Sequence, residues 1–132
     1  MAEQLALLAA SGDDLPPLSA LLQDATLRLA DIAYDRRARR LVCLVNRYRR
    51  EAPGQSRIRC VLRLETVAAV QRHSWPSDPE AVVNILSLAQ DGDWLVLTFG
   101  GGAALRARAE VVDVLLEDVG EAWNTARVPQ HD

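Results

Sequence analysis

Residues 57–64, Arg57-Ile58-Arg59-Cys60-Val61-Leu62-Arg63-Leu64, constrain the fold more than any other stretch of the chain. Ile58, Cys60, Leu62 and Leu64 share one parity, while Arg57, Arg59 and Arg63 share the other. Side chains alternate across a strand with a period of two, so the segment reads as a half-buried strand with an apolar inner face and an arginine outer face. Its neighbours have the same character. Leu41-Val42-Cys43-Leu44-Val45 reads as a buried strand, and Pro53-Gly54 between the two is a strong turn signal.

More strands follow at short intervals. Leu27, Leu29 and Ala33 alternate imperfectly with Arg28 and Asp31, before a polar turn from Asp35 to Arg40. Val67 to Trp75 reads as a strand ended by Pro76. Asp91-Gly92 is a hairpin signal that returns the chain into Trp94 to Phe99. Gly100-Gly101-Gly102 makes the next turn, and Ala104 to Ala109 the next strand. Between these, Ser77-Asp78-Pro79-Glu80 has the form of a capping box and predicts a helical turn. Val82, Ile85, Leu86 and Ala89 then fit a helix, whereas Val83, Ile85 and Ser87 fit a strand. The expectation for 78–88 is a short helix leading into a strand from about 84 to 90.

Helices are expected at both ends. Leu5 to Ala9 reads as a first strand, followed by Ser11-Gly12-Asp13-Asp14, with Asp14 placed to cap a helix and Pro16 and Pro17 inside its first turn. Leu15, Leu18, Leu22 and Ala25 recur at helical spacing, which predicts a helix from about 14 to 25. Val111, Val112, Leu115, Leu116 and Val119 mark a C-terminal helix stopped by Gly120. The reading is therefore a single α+β domain over residues 1–132, with about 125–132 a polar tail. About seven antiparallel strands form a curled sheet, with an N-terminal helix and a C-terminal capping helix. That arrangement resembles the pleckstrin-homology-like barrel, in which a C-terminal helix plugs one open end.

A closer resemblance covers nearly the whole chain. Leu21-Leu22-Gln23-Asp24-Ala25, then Leu44-Val45-Asn46-Arg47-Tyr48-Arg49, then Trp94 to Gly102, and finally Gly120-Glu121-Ala122-Trp123 occur in order and at matching spacing. This pattern resembles an uncharacterised bacterial family of small cytosolic proteins, domain-of-unknown-function family 2948. The resemblance implies a cytosolic, bacterial, single-domain protein and carries over no functional residue.

The longest apolar run, Leu5 to Ala10, is far below the ~18 residues that cross a bilayer as a helix. Glu3 is the first charge, so no basic signal region precedes that run. A cytoplasmic location and no membrane partner are expected. Cys43 and Cys60 lie in apolar strands and read as buried thiols in a reducing compartment.

All 15 basic residues are Arg, a composition that a GC-rich genome encodes. Their placement is more informative than their number. Residues 1–27 carry −4, residues 28–72 carry +8 and residues 73–132 carry −7, which together give the net −3. Either the flanks neutralise the middle within one fold, or the middle presents a basic surface to an anionic partner.

The residues offer little chemistry. His73 and His131 are distant from each other and from the cysteines, so no zinc set is spelled out. The three glycines at 100–102 lack the Lys and Ser/Thr of a phosphate loop. Asp78, Glu80, Asp91 and Asp93 are explained by capping and turns. No cofactor, metal or catalytic residue is expected. One cluster remains: Arg47, Tyr48, Arg49 and Arg50 at the end of one strand, and Arg57, Arg59 and Arg63 on the outer face of the next. Two readings stand for it. Tyr48 is core and the arginines pair with Glu51, Glu65 and the acidic flanks, or the cluster binds RNA or another polyanion.

The function expected from these features is non-enzymatic binding of a protein partner through a sheet edge or a barrel mouth. Weak nucleic-acid or polyanion binding is the alternative, and an enzyme of unrecognised class is a third. A two-fold homodimer is also expected, through an open edge at the strand from Trp94 to Phe99.

Overall fold

The alternating segment lies at the centre of a large, curled antiparallel sheet. The computed structural model describes residues 4–49, 51 and 54–124. Its elements run β1 (Ala6–Ala9), α1 (Leu15–Leu22), β2 (Thr26–Arg28), β3 (Ile32–Asp35), β4 (Arg40–Tyr48), β5 (Ser56–Leu64), β6 (Val67–His73), β7 (Val82–Asp91), β8 (Trp94–Phe99), β9 (Ala104–Ala109), β10 (Val114–Asp118) and β11 (Trp123–Asn124). The strand order is β1-β10-β5-β4-β2-β7-β8-β9-β6, with β3 also pairing β4 and β11 also pairing β5.

Strand β5 has the expected phase. Ile58, Cys60, Leu62 and Leu64 are buried, and Arg57, Arg59 and Arg63 point outward. Its partner β4 buries Leu41, Cys43 and Val45 on the same side. Across the core lie Leu95, Leu97 and Phe99 of β8 and Leu105 and Ala107 of β9. Helix α1 buries Leu15, Leu18 and Leu22 against β7, β1 and β4. Burying a leucine side chain contributes roughly 1.5–3 kcal/mol, so this three-leucine stripe is enough to hold a two-turn helix that would not persist alone.

The expectation of seven strands and a C-terminal capping helix is overturned. Eleven strands occur among the described residues, and the segment expected to be helical contains β10. Val114, Leu116 and Asp118 are buried while Leu115 and Glu117 face outward, a period of two. The physical reason is non-local. Strand β5 needs partners for the N–H and C=O groups on the side away from β4, and only another strand supplies them. β10 fills that place, pairing β5 on one side and β1 on the other. Gly120, at φ +107°, turns the chain after a strand instead of ending a helix. Among the described residues no C-terminal helix plugs the sheet, so the pleckstrin-homology comparison falls with it. The α-helix among the described residues is α1, towards the other end of the chain, and it packs on β7, β1 and β4.

Three local expectations are also corrected. Helix α1 stops at Leu22, and its Asp14 does not cap forward. The Asp14 carboxylate reaches back to accept the N–H groups of Ala10 at 2.9 Å and Ser11 at 3.2 Å. The Ser77–Glu80 segment is a turn, with Asp78 accepting from Glu80 and Ala81. Glu80 pairs with Arg28 and does not close a capping box, so β7 begins directly at Val82. Finally, the strand from Trp94 to Phe99 is not an edge. As β8 it lies between β7 and β9, fully paired on both sides.

Candidate functional site

Strand phase sorts the arginine cluster into two populations. Arg47 follows Leu41, Cys43 and Val45 on the buried side of β4 and has no solvent exposure. A buried guanidinium needs anionic partners, and it has two. Nε and Nη2 donate to the Asp118 carboxylate, both at 2.9 Å. Nη1 and Nη2 donate to Glu51 at 2.9 and 2.7 Å. Asp118 is equally buried, and it also accepts the N–H of Leu5 at 2.9 Å and the thiol of Cys60 at 3.0 Å.

The cluster fixes the protonation states of its members. Burial alone would raise the Asp118 pKa, but hydrogen bonds from Arg47, Cys60 and Leu5 outweigh it and hold the carboxyl below its usual range. The hydrogen bonds from Arg47 likewise lower Glu51. Burial opposes the charge on Arg47, yet its two carboxylates raise its pKa. The Cys60 thiol is pushed up by burial and then by the neighbouring Asp118 charge. Cys43, away from this cluster, is pushed up by burial to about 12. Both thiols are protonated at neutral pH.

The rest of the cluster lies outside this network. Arg49 shares the inward parity; its Nη1 donates to Ser56 Oγ at 3.5 Å, and its buried Nε has no hydrogen-bond partner among the described residues. Arg50 lies outside the described residues. Tyr48, Arg57, Arg59 and Arg63 occupy the outer face. Tyr48, Arg57 and Trp123 lie side by side across β4, β5 and β11. The Arg57 guanidinium lies 5.9 Å from the Tyr48 ring centre and donates to the carbonyls of Asp24 and Asn46. Exposed Arg59 donates to Asn46 Oδ1 at 3.3 Å. Arg63 Nε lies 3.3 Å from Glu65 Oε1, close enough for an ion pair but not aligned as a hydrogen bond.

The basic middle and acidic C-terminal third are joined by several of these pairs. Arg28 meets Glu80, Arg39 meets Glu110 and Arg47 meets Asp118. Within the basic segment, Arg40 hydrogen-bonds to Glu65.

The sheet has two ends, and they differ. At one end, β1 pairs only β10 among the described residues. The Leu5 carbonyl accepts the Asp118 N–H, so in an antiparallel ladder Leu7 and Ala9 also direct their N–H and C=O groups to β10. Ala6 and Leu8 therefore direct theirs away from the sheet. The strand contains no charge, and the Leu8 side chain is 67% exposed. At the other end, β6 pairs only β9 among the described residues, carries a bulge between Val67 and Ala69, and exposes Gln71, Arg72 and His73. A third stretch, the side of β7 beyond β2, is covered by α1, where Ser19 Oγ accepts the Leu88 N–H at 2.9 Å. The open groove of about 640 Å³ between them is lined by residues such as Gly12, Ser19, Gln23, Leu86 and Gln90.

Sequence reasoning named Glu51 among the partners of the arginines but missed Asp118, Leu8 and Trp123. The signal for Asp118 was phase. A charged residue in step with Val114 and Leu116 needs a buried counter-charge, and Arg47 stands in the same position relative to Val45.

These features define a mostly antiparallel β domain, one curled sheet packed against a short helix, with one fully buried ion pair, Arg47–Asp118, and outward main-chain hydrogen-bonding groups along β1. Over residues 5–131 the sequence matches the family model described as a protein of unknown function (DUF2948), and the chain belongs to that family. No curated protein and no solved structure matches it. No helix among the described residues is long and apolar enough to cross a membrane.

Proposed function

We propose that the domain is a non-enzymatic protein-binding module that accepts an extended segment as an added strand beside β1. The observation that carries this reading is the outward-facing N–H and C=O groups of Ala6 and Leu8 on a strand without a charge, a proline or a bulge. Such an edge is a template for another strand unless something blunts it. The buried polar groups support a structural role for the cluster. Asp118 and Glu51 are both engaged by the Arg47 guanidinium, and both thiols are held protonated, which removes their nucleophilic form.

Weak binding of RNA or another polyanion is the second reading, carried by the Tyr48, Arg57 and Trp123 row beside exposed Arg59. Against it, Arg47, Arg40 and Arg63 are already placed on carboxylates.

Selection of displayed peptides on the purified domain, followed by amide exchange, tests the first reading. Selected peptides are expected to slow exchange of the Ala6 and Leu8 amides and to leave Leu7 and Ala9 unchanged. Peptides that protect the α1–β7 groove instead, or no selection above background, would contradict it.

A further inference from the structure

We propose that the segment accepted at β1 is β1 of a second copy of this chain, forming an antiparallel ladder about a two-fold axis through Leu7. This inference rests on the reading of β1 as a strand-accepting edge. Each copy offers two N–H and two C=O groups outward, those of Ala6 and Leu8. A two-fold axis through Leu7 sets Ala6 opposite Leu8 of the other copy, and all these groups close into four hydrogen bonds.

Two kinds of alternative register are poorer. An axis through Leu8 sets Ala6 against Ala10, whose N–H already donates to the Asp14 carboxylate. An axis between two residues puts inward side chains beside outward ones, which the pleat forbids.

The side chains fit the same register. On the outer face Leu8 is beside Leu115, so the exposed Leu8 of one copy meets Ala6 of the other and extends an apolar row. The two Leu8 side chains become diagonal neighbours, within reach of each other. The row is Glu117 and Ala6 of one copy, then Leu8, Leu115 and Arg63 of the other. Opposite charges close its two ends, and no like charges meet at the junction. The anchoring of β1 adds to the case. Leu5 is held through both its N–H and C=O by Asp118, so the edge is presented in order and little conformational entropy is lost on pairing.

Sedimentation velocity over roughly 1 to 200 µM, where so small an interface is expected to dissociate, tests the proposal. The mass is expected to rise from 14.5 kDa to twice that value. Exchange of the Ala6 and Leu8 amides is expected to slow over the same range. Leu8→Pro removes the outward N–H without touching the β10 ladder, and Leu8→Lys keeps the N–H but charges the edge. Both variants should remain monomeric with unchanged circular dichroism. A wild-type chain that stays monomeric throughout, or a dimer that survives both substitutions, overturns the proposal. If the chain is monomeric but a selected peptide still protects Ala6 and Leu8, self-pairing fails and the edge reading stands. If no peptide protects them either, both fail.

Discussion

The two ends of the sheet solve the same physical problem in opposite ways. Strand β6 is blunted. It carries a bulge, exposes Gln71, Arg72 and His73, and stacks Arg72 5.1 Å from the Trp75 ring centre. Its first residue is also occupied, with the Val67 N–H on the Arg39 carbonyl and the Val67 carbonyl accepting the Tyr34 hydroxyl. Bulges and charges are the usual devices that stop edge-to-edge pairing. Strand β1 has neither, and it is held in place through Leu5, Asp118 and the buried Arg47. An edge that is anchored and bare is suited to being paired; one that is bulged and charged is suited to being left alone.

The anchored end breaks most severely at its buried charges. Removing one member of a buried ion pair leaves the other uncompensated, at a cost of about 3–5 kcal/mol. Arg47→Met or Asp118→Ala is expected to destabilise the fold by that amount in urea unfolding, and to release Leu5 and β1 with it. Replacing both residues by apolar ones should cost less than either single change. A single substitution costing under about 1 kcal/mol would show that the pair anchors nothing.

Acid should loosen the same end. The Asp118 and Glu51 carboxyls are both lowered in the folded protein. Their contribution is therefore complete above the unfolded carboxyl value of about 4 and is lost as the pH falls through the folded values. The melting temperature is expected to drop between pH 5 and pH 2. Asp118→Asn should flatten that profile, with Glu51, which is partly exposed, contributing the smaller share. A profile with the same slope in the variant would assign the acid sensitivity elsewhere.

The contrast between the ends can also be inverted. Arg72→Val removes the charge from β6 and gives the molecule a second edge fit for pairing. Species larger than a dimer are expected by light scattering, in small amount because the Val67 bulge remains. The mildest effect belongs to the outer arginines. Arg57→Ala and Arg59→Ala should each reduce the salt dependence of any binding to single-stranded RNA by about one counterion, measured by fluorescence titration at several salt concentrations. An unchanged slope would remove these residues from the second reading.

Local signals decided which parts of this architecture were legible in the sequence. Strands β5, β8 and β9 announce themselves through clean alternation and glycine-bearing turns, and they run as read. The C-terminal segment did not, because Val111, Val112, Leu115, Leu116 and Val119 recur at helical spacing, while the strand face that forms, Val114, Leu116 and Asp118, ends on a charge. What decides between them is the unfilled side of β5, distant in sequence. The same applies to Ser77–Glu80, a sound capping box on its own until Arg28 draws the Glu80 carboxylate away. The arginine cluster was legible as a cluster but not as two faces. Arg47 was read only as lying at a strand end with Tyr48, Arg49 and Arg50. Its phase with Leu41, Cys43 and Val45 placed it inside, and its partner Asp118 stood in a segment read as helix.

Amide exchange at β1, followed residue by residue at low and high protein concentration, tests the central claim most directly. The account predicts that Leu7 and Ala9, bonded to β10, exchange slowly at both concentrations, while Ala6 and Leu8 exchange fast in the dilute protein and slowly in the concentrated one. Ala6 and Leu8 amides that are already protected in the dilute monomer would contradict it, since the edge would then be occupied from within.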